Sequence, residues 1–296
     1  MDLELYLAQR KRLVDQALEQ MLPGANDGGE RLHEAMRYSL FAGGKRIRPI
    51  LAMEAGEIVG AEASAMLPLA AALECIHTYS LIHDDLPAMD DDDTRRGKPT
   101  LHKVFGEGVA ILVGDALLTF AFDVLSSPHA ARIYPAHRLL QAIHELAVAA
   151  GYRGLVRGQY LDIVSEGREA NEQTVSDIVA GKTGALLKAS LVCGALLGGG
   201  SPQQIRVLAE FGEHLGIVFQ IKDDVLDIEG DAQTLGKAVH KDQEKGKATF
   251  PALMGLEAAK DKMRQHIERA LRALEPLGER ASTLSEICLY IGRRIK

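Results

Sequence analysis

The chain has 296 residues, 47% of them hydrophobic but only 5% aromatic, and it contains no Trp. An apolar content drawn mainly from Ala and Leu suits helices packed on helices and argues against a sandwich or barrel. A net charge of −7 excludes a surface built to track nucleic-acid phosphates, which needs an excess of Lys and Arg. Cys75, Cys193 and Cys288 are odd in number and show no paired spacing, as expected in a reducing compartment.

In chain order, MDLELYLAQRKRLVDQALEQML has acids at its start and apolar residues at helical spacing. It reads as an amphipathic helix over 2–21 and not as a signal peptide. PGANDGG at 23–29 breaks the chain, and helices are predicted over 30–42 and 46–60, parted by Gly43 and Gly44. Further apolar segments follow at 65–86, 104–126, 132–150, 152–167, 171–197, 202–228, 248–273 and 277–294. SSP at 126–128, GGGSP at 198–202 and GD at 230–231 punctuate them. No period-two run lies between turn signals, so no sheet of consequence is expected. The longest apolar stretches, 108–125 and 185–199, contain Asp115, Asp123 and Lys188. They read as core helices and not as membrane spans. No low-complexity linker divides the chain. The expectation is therefore an all-α fold, one domain over 1–296, in the cytoplasm.

Two aspartate clusters carry the chemistry. HDDLPAMDDDDTRRG (83–97) sets six aspartates within ten positions and then two arginines. Carboxylates this close repel one another unless a cation sits among them, and the arginines call for an anion. The interval from Asp84 to Asp90 does not close on a regular helix. Pro87 opens the backbone there, which lets Asp84, Asp85 and Asp90 converge. In FQIKDDVLD, Asp223 and Asp227 share a helix face, and Asp224 lies about 100° around. Both clusters end apolar helices, so two such helices can face each other across one cavity. No His or Cys cluster at transition-metal spacing accompanies them, and the EF-hand glycine and glutamate are absent. Mg²⁺, shared with a phosphate-bearing substrate, fits best. For either cluster alone, a solvated acidic loop is the alternative.

Basic residues complete the pattern. In GGKRIRP (43–49), Lys45 and Arg48 are three apart at a helix start, where free backbone N–H groups favour an anion; Arg46 should point elsewhere. Arg95 and Arg96 must diverge and can serve two anions. Lys182 and Thr183 stand in GKTG, Lys237 in LGK and Lys247 in KGKAT. The residues before Lys182 do not meet GxxxxGK[ST], so this is no P-loop. His77 lies two turns below Asp84 on the same face; a structural role is its plainer reading.

Together, GGKRIRP, HDDLPAMDDDDTRRGKPT, GKTG, FQIKDDVLD, LGK and KGKAT resemble, in order and spacing, the trans-isoprenyl diphosphate synthases, in particular the short-chain bacterial branch. The resemblance covers essentially the whole chain. It implies helices around a deep central cavity, usually a homodimer, two isoprenoid diphosphate substrates, and Mg²⁺ at roughly three ions per site. By position it implies Asp84, Asp85, Asp90 and Asp223, assisted by Asp224 and Asp227, as Mg²⁺ ligands on an allylic diphosphate. Arg95, Lys182, Lys237 and Lys247 would hold that diphosphate. Isopentenyl diphosphate is expected in a metal-free site of Lys45, Arg48, His77 and Arg96. Thr183 and Gln220, with Lys182, would line the reaction centre. Lys222 departs from the family pattern and is expected to point away. Tyr79 and Ser80, about one 5.4 Å turn below Asp84, would set product length, and the pair favours a C15 product over the alternative C20. A non-catalytic, partner-binding subunit is a further alternative, but it would be expected to lose one cluster. Arg293, Arg294 and Lys296 are well charged to meet a diphosphate at the C-terminal end.

Overall fold

The apolar segments become helices in a computed structural model that describes residues 2–22, 24, 29–230 and 246–294. In order these are α1 Leu3–Met21, α2 Glu30–Leu40, α3 Ile47–Ile58, α4 Leu67–Asp84, α5 Leu101–Phe105, α6 Glu107–Ser126, α7 Pro128–Ile133 and α8 Ala136–Ala150. There follow α9 Leu155–Ser165, α10 Glu172–Val179, α11 Ala185–Gly198, α12 Pro202–Glu229, α13 Phe250–Met254, α14 Leu256–Leu274 and α15 Ser282–Arg293. Strands among the described residues are β1 Thr94–Arg95 and β2 Lys98–Pro99, one small hairpin.

Several predicted segments are divided, and local chemistry explains where. Gly106 and Gly255 adopt φ of 88° and 84°, a conformation open to glycine that ends α5 and α13. Start signals work as expected: Ser201 and Gln204 form a capping box ahead of Pro202, and Asn171 and Thr249 cap α10 and α13.

The core has two apolar clusters with a shared wall. Leu186, Cys193 and Leu197 of α11 enter the first, and Leu187, Leu191 and Ala195 of the same helix enter the second. α3 divides likewise, with Ala52 and Met53 on one side and Ile50, Leu51 and Ile58 on the other. Helices apolar all round belong in such a central position, where each buried Leu or Ile contributes about 1.5–3 kcal/mol. α3 and α11 approach so closely that a Cβ on Gly194 would collide with the Ala52 carbonyl oxygen. On either side of this wall α4 lies along α6, and α12 lies between α11 and α14.

Residues 63–84, 107–133 and 172–198 are long and apolar enough to cross a membrane by length and composition. The first and third bury 78% of that surface inside the protein, the second only 44%. The core explains the hydrophobicity of two of them. The second, built on α6, leaves Ile111 and Leu112 exposed.

Gly194→Ala should lower stability by about 1–3 kcal/mol through overpacking. Gly108→Ala, whose new methyl meets nothing within 4 Å, should raise it by roughly 0.5–1 kcal/mol. Thermal unfolding of both variants checks the pair.

Candidate active site

α4 stops at Asp84 because Pro87 follows, and a residue ahead of proline is driven out of helical geometry. The chain then folds back on itself. The Asp90 N–H donates to the Asp84 carbonyl (2.8 Å), and the Asp92 N–H donates to that of Asp85 (3.2 Å). Asp84 and Asp90 converge as the proline predicts. Asp85 does not join them. Both its carboxylate oxygens accept from Arg95 Nε (2.7 and 2.9 Å), and it lines a small cleft behind the turn. Asp85 thus departs from the expected convergence and holds Arg95 in place. The reason is that neighbours on a helix end point about 100° apart, so only one of the two reaches the cavity.

That cavity has a volume of about 490 Å³. Asp84, Asp90 and Asp92 line one side, and Asp223, Asp224 and Asp227 from the last turns of α12 line another. The two acidic helix ends share one mouth. Asp84 is recessed, and its carboxyl is pushed up to about 6, first by burial, with Asp90 and Asp85 adding to the effect against Lys182 and Arg95. A recessed carboxyl that resists ionisation without a counter-cation, with further carboxylates around the same mouth, suits a hard divalent ion such as Mg²⁺. Asp91, Asp93 and His102 also bring ligand atoms within 4.8 Å of one another. Both aspartates there are exposed, outside the cavity wall, and Asp93 pairs with Lys103 at 2.6 Å.

Cations answer these acids. Lys247 Nζ donates to Asp90 (3.0 Å), and Lys182 Nζ donates to Asp162 (2.6 Å), which also faces Lys247 at 3.8 Å. Arg294 pairs with Asp223 and lies over the Phe219 ring. Asp162 and its neighbour Gln159 on α9 were not anticipated, although Gln159 also lines the cavity. A single acid in GQYLDI looks like any solvated residue; only Gly158 hinted at a close approach. Lys237 and Lys296 lie outside the described residues.

Lys182 and Thr183 reach the cavity through a π-helical turn, Ala180–Gly184, inside an otherwise continuous helix from Glu172 to Gly198. Such wide turns re-aim side chains and recur at functional sites. Glycines clamp it: a Cβ on Gly181 would meet Gly158 Cα at 2.8 Å, and one on Gly216 would meet Gly184 Cα at 2.7 Å. From that turn Thr183 Oγ1 donates to Gln220 Oε1 (2.6 Å), and Gln220 Nε2 donates to Asp224 (2.8 Å). Lys222 is absent from the cavity wall, as expected.

The opposite wall is cationic. Lys45, Arg48, His77 and Arg96 all line it. Lys45 arrives differently from the expectation: the helix begins only at Ile47, so Lys45 comes from the loop and not from a shared helix face. Arg96 and Gly97 form the tip of the hairpin, with φ of 54° and 75°, as two-residue turns of this kind require. Arg96 donates to the Gly43 carbonyl, and a Cβ on Gly44 would stand 2.6 Å from its Cζ. The glycine pair makes room for a guanidinium. Arg48 Nε is enclosed with no hydrogen-bond partner, and burial pushes the group down to about 10 against the pull of Glu74 and Asp223. His77 is held well below the usual imidazole range by burial and by Arg48, Arg96 and Arg95. Its ring is therefore neutral.

Ser80 lines the cavity, donating to the His77 carbonyl at 2.9 Å. Tyr79 does not line it. It is 5% exposed, lies edge-on to His83 and reaches the Ala150 carbonyl at 3.5 Å. Of the two residues expected on the tail side, Ser80 alone lines the cavity, because the one-residue step turns Tyr79 into the core.

A profile described as polyprenyl synthetase matches residues 29–285. A farnesyl diphosphate synthase of Geobacillus stearothermophilus is 47% identical, the match covering 99% of this chain and 98% of that protein. A chloroplastic geranylgeranyl pyrophosphate synthase of Arabidopsis thaliana is 44% identical over 99% of this chain and 84% of its own length. In three dimensions the chain resembles a geranyltransferase of Helicobacter pylori, solved with magnesium and isoprenyl diphosphate. The TM-score is 0.86 at 29% identity, covering 98% of this chain and 96% of that one. With a family match over most of its length and relatives that align nearly end to end, the chain belongs to the polyprenyl synthetase family and is a metal-dependent prenyltransferase.

Proposed function

We propose that the chain condenses isopentenyl diphosphate with dimethylallyl diphosphate and then with geranyl diphosphate, releasing farnesyl diphosphate. The observation that carries this reading is the shared cavity: two acidic helix ends on one side, and on the other a wall bearing Lys45, Arg48, His77 and Arg96. A terpene cyclase has no use for the second wall.

Asp84, Asp90 and Asp223, with Asp224 and Asp227, would hold Mg²⁺. When bound, Mg²⁺ neutralises the diphosphate that leaves as the allylic carbon–oxygen bond breaks. Lys182 and Lys247 hold the same diphosphate, exchanging carboxylate partners for phosphate oxygens of greater charge. Arg95, fixed by Asp85, adds a further cation to this side. Thr183 and Gln220 present fixed oxygen dipoles to the allylic cation. Leu81, Leu155 and Phe219 on the wall keep out the water that would convert that cation to an alcohol. Isopentenyl diphosphate rests on Lys45, Arg48 and Arg96, with His77 supplying a hydrogen bond. Its alkene electrons form the new carbon–carbon bond, and a proton is lost to the departed diphosphate.

Labelled isopentenyl diphosphate incubated with each allylic primer should give a C15 product, abolished by chelation and restored by Mg²⁺. A C20 product would replace the farnesyl reading by the geranylgeranyl one, and no elongation at all would sink both.

Ser80 guards the tail side of the mouth. Ser80→Phe should shift the product from C15 to C10. Tyr79→Ala removes a core ring behind it, costing about 3–5 kcal/mol of stability and opening space that lengthens the product. Chromatography of the products, with a melting curve for each variant, checks both; unchanged chain lengths would remove Ser80 and Tyr79 from length control.

The chain is further read as a homodimer in the cytoplasm. The under-buried face of α6, with Ile111 and Leu112 46% and 60% exposed, and Leu140 of α8 at 70%, offers the apolar surface a second copy would cover. Cys75, Cys193 and Cys288 are buried free thiols, as in a reducing compartment. Leu112→Arg should convert a species of twice the chain mass to monomer, measured by light scattering after size exclusion.

A further inference from the structure

Arg46 sits between two residues of the cationic wall and also borders the cavity, yet its guanidinium is taken up by protein acceptors. It caps α3 in a left-handed conformation (φ 56°, ψ 35°) that residues with a Cβ avoid. Its side chain is 1% exposed, and each guanidinium nitrogen has one acceptor from a different part of the chain. Nε donates to Asp15 on α1 (2.8 Å), Nη1 to Glu74 on α4 (2.5 Å), and Nη2 to the Leu40 carbonyl at the end of α2 (2.5 Å).

Buried Arg–Glu pairs are poor stabilisers, since apolar residues of similar volume often do as well or better. What this one specifies is direction. The reversed backbone at Arg46 brings Lys45, still in the loop, and Arg48, already in the helix, to the same wall. Glu74 lies one turn before His77 on α4, so the helix that anchors the loop also presents the imidazole. We infer that Arg46 is a positioning residue for the metal-free diphosphate site: its three-way anchor fixes Lys45 and Arg48 as a pair against an isoprenoid diphosphate bound without metal. The inference rests on the proposed function, and it assigns Arg46 no contact with substrate.

The two diphosphate sites then respond separately. Arg46→Met should raise both the KM for isopentenyl diphosphate and its metal-free dissociation constant by about tenfold, while the allylic KM stays within about twofold. Arg46→Lys, which keeps a charge but cannot reach three acceptors, should recover part of the loss. A purely structural Arg46 would lower the melting temperature and leave the isopentenyl KM within about twofold of wild type, and that result overturns the inference; so does a parallel rise in both KM values. Should Arg46→Met fail to fold, Asp15→Asn removes only the most exposed anchor and should raise the isopentenyl KM by about two- to threefold; no change there overturns it equally. Wild-type protein that neither binds nor elongates isopentenyl diphosphate would instead sink the functional reading itself. Calorimetric titration of isopentenyl diphosphate without metal, alongside steady-state kinetics, separates these cases.

Discussion

Lys247 reaches Asp90 from 157 positions away, and Arg294 reaches Asp223 from 71. These ion pairs cross the mouth of the bundle, and most of the site is arranged around the need for them. A carboxylate taken out of water without a partner shifts its pKa or costs several kcal/mol. Asp84 shows the first response, with its raised carboxyl. Asp90, Asp162 and Asp223 show the alternative, each answered by a cation from another element, and Asp85 shows both, raised by burial although Arg95 holds it. Charge is balanced inside the protein before any substrate arrives. On the proposed function, a metal diphosphate would enter by exchanging partners with these pairs.

Such exchange requires side chains held to a fraction of an ångström on rods that do not move. Helices provide the rods, and glycine contacts set how close they come. Gly194 seats α11 on α3, while Gly158 and Gly181 seat α9 on the π-helical turn. The turn itself is the local departure from regular geometry that the chemistry uses. In an unbroken α-helix Lys182 and Thr183 would point along a different arc; the added residue of the π turn re-aims them, Lys182 to Asp162 and Thr183 to Gln220.

Much of this was legible in the residues alone, and the reason is periodicity. Helix positions, the convergence of Asp84 with Asp90 across Pro87, and the facing clusters at Asp84 and Asp223 follow from local rules that tertiary packing did not override. What was misread or missed depends on a single step along a helix or on contacts between elements. Asp85 and Tyr79 each stand one residue from a cavity-lining neighbour and point elsewhere. Lys45 reached its wall from a loop, because the left-handed turn at Arg46 delays the helix start. Asp162 and the π turn had no local signature, since one follows from proximity to two lysines and the other from glycines that touch only after folding. The neutral state of His77 was out of reach for the same reason, being set first by burial and then by arginines from two separate segments.

The asymmetry of the two walls bears on which bond breaks. Both substrates carry a diphosphate, yet only one should lose it. On the side of Asp84 and Asp223, carboxylates and lysines are matched to a group whose negative charge grows as it departs, the condition for transition-state stabilisation. On the other wall the acid is Glu74, already paired with Arg46, and burial with the nearby arginines holds His77 well below the usual imidazole range. Arg48, pushed down to about 10 by burial, and its neighbours Lys45 and Arg96 form a fixed set of cations that binds an anion equally well before and after reaction. Uniform binding of that kind anchors a molecule without activating it. Ionisation on one side and retention on the other thus follow from where the aspartates stand, and the direction of condensation follows from that.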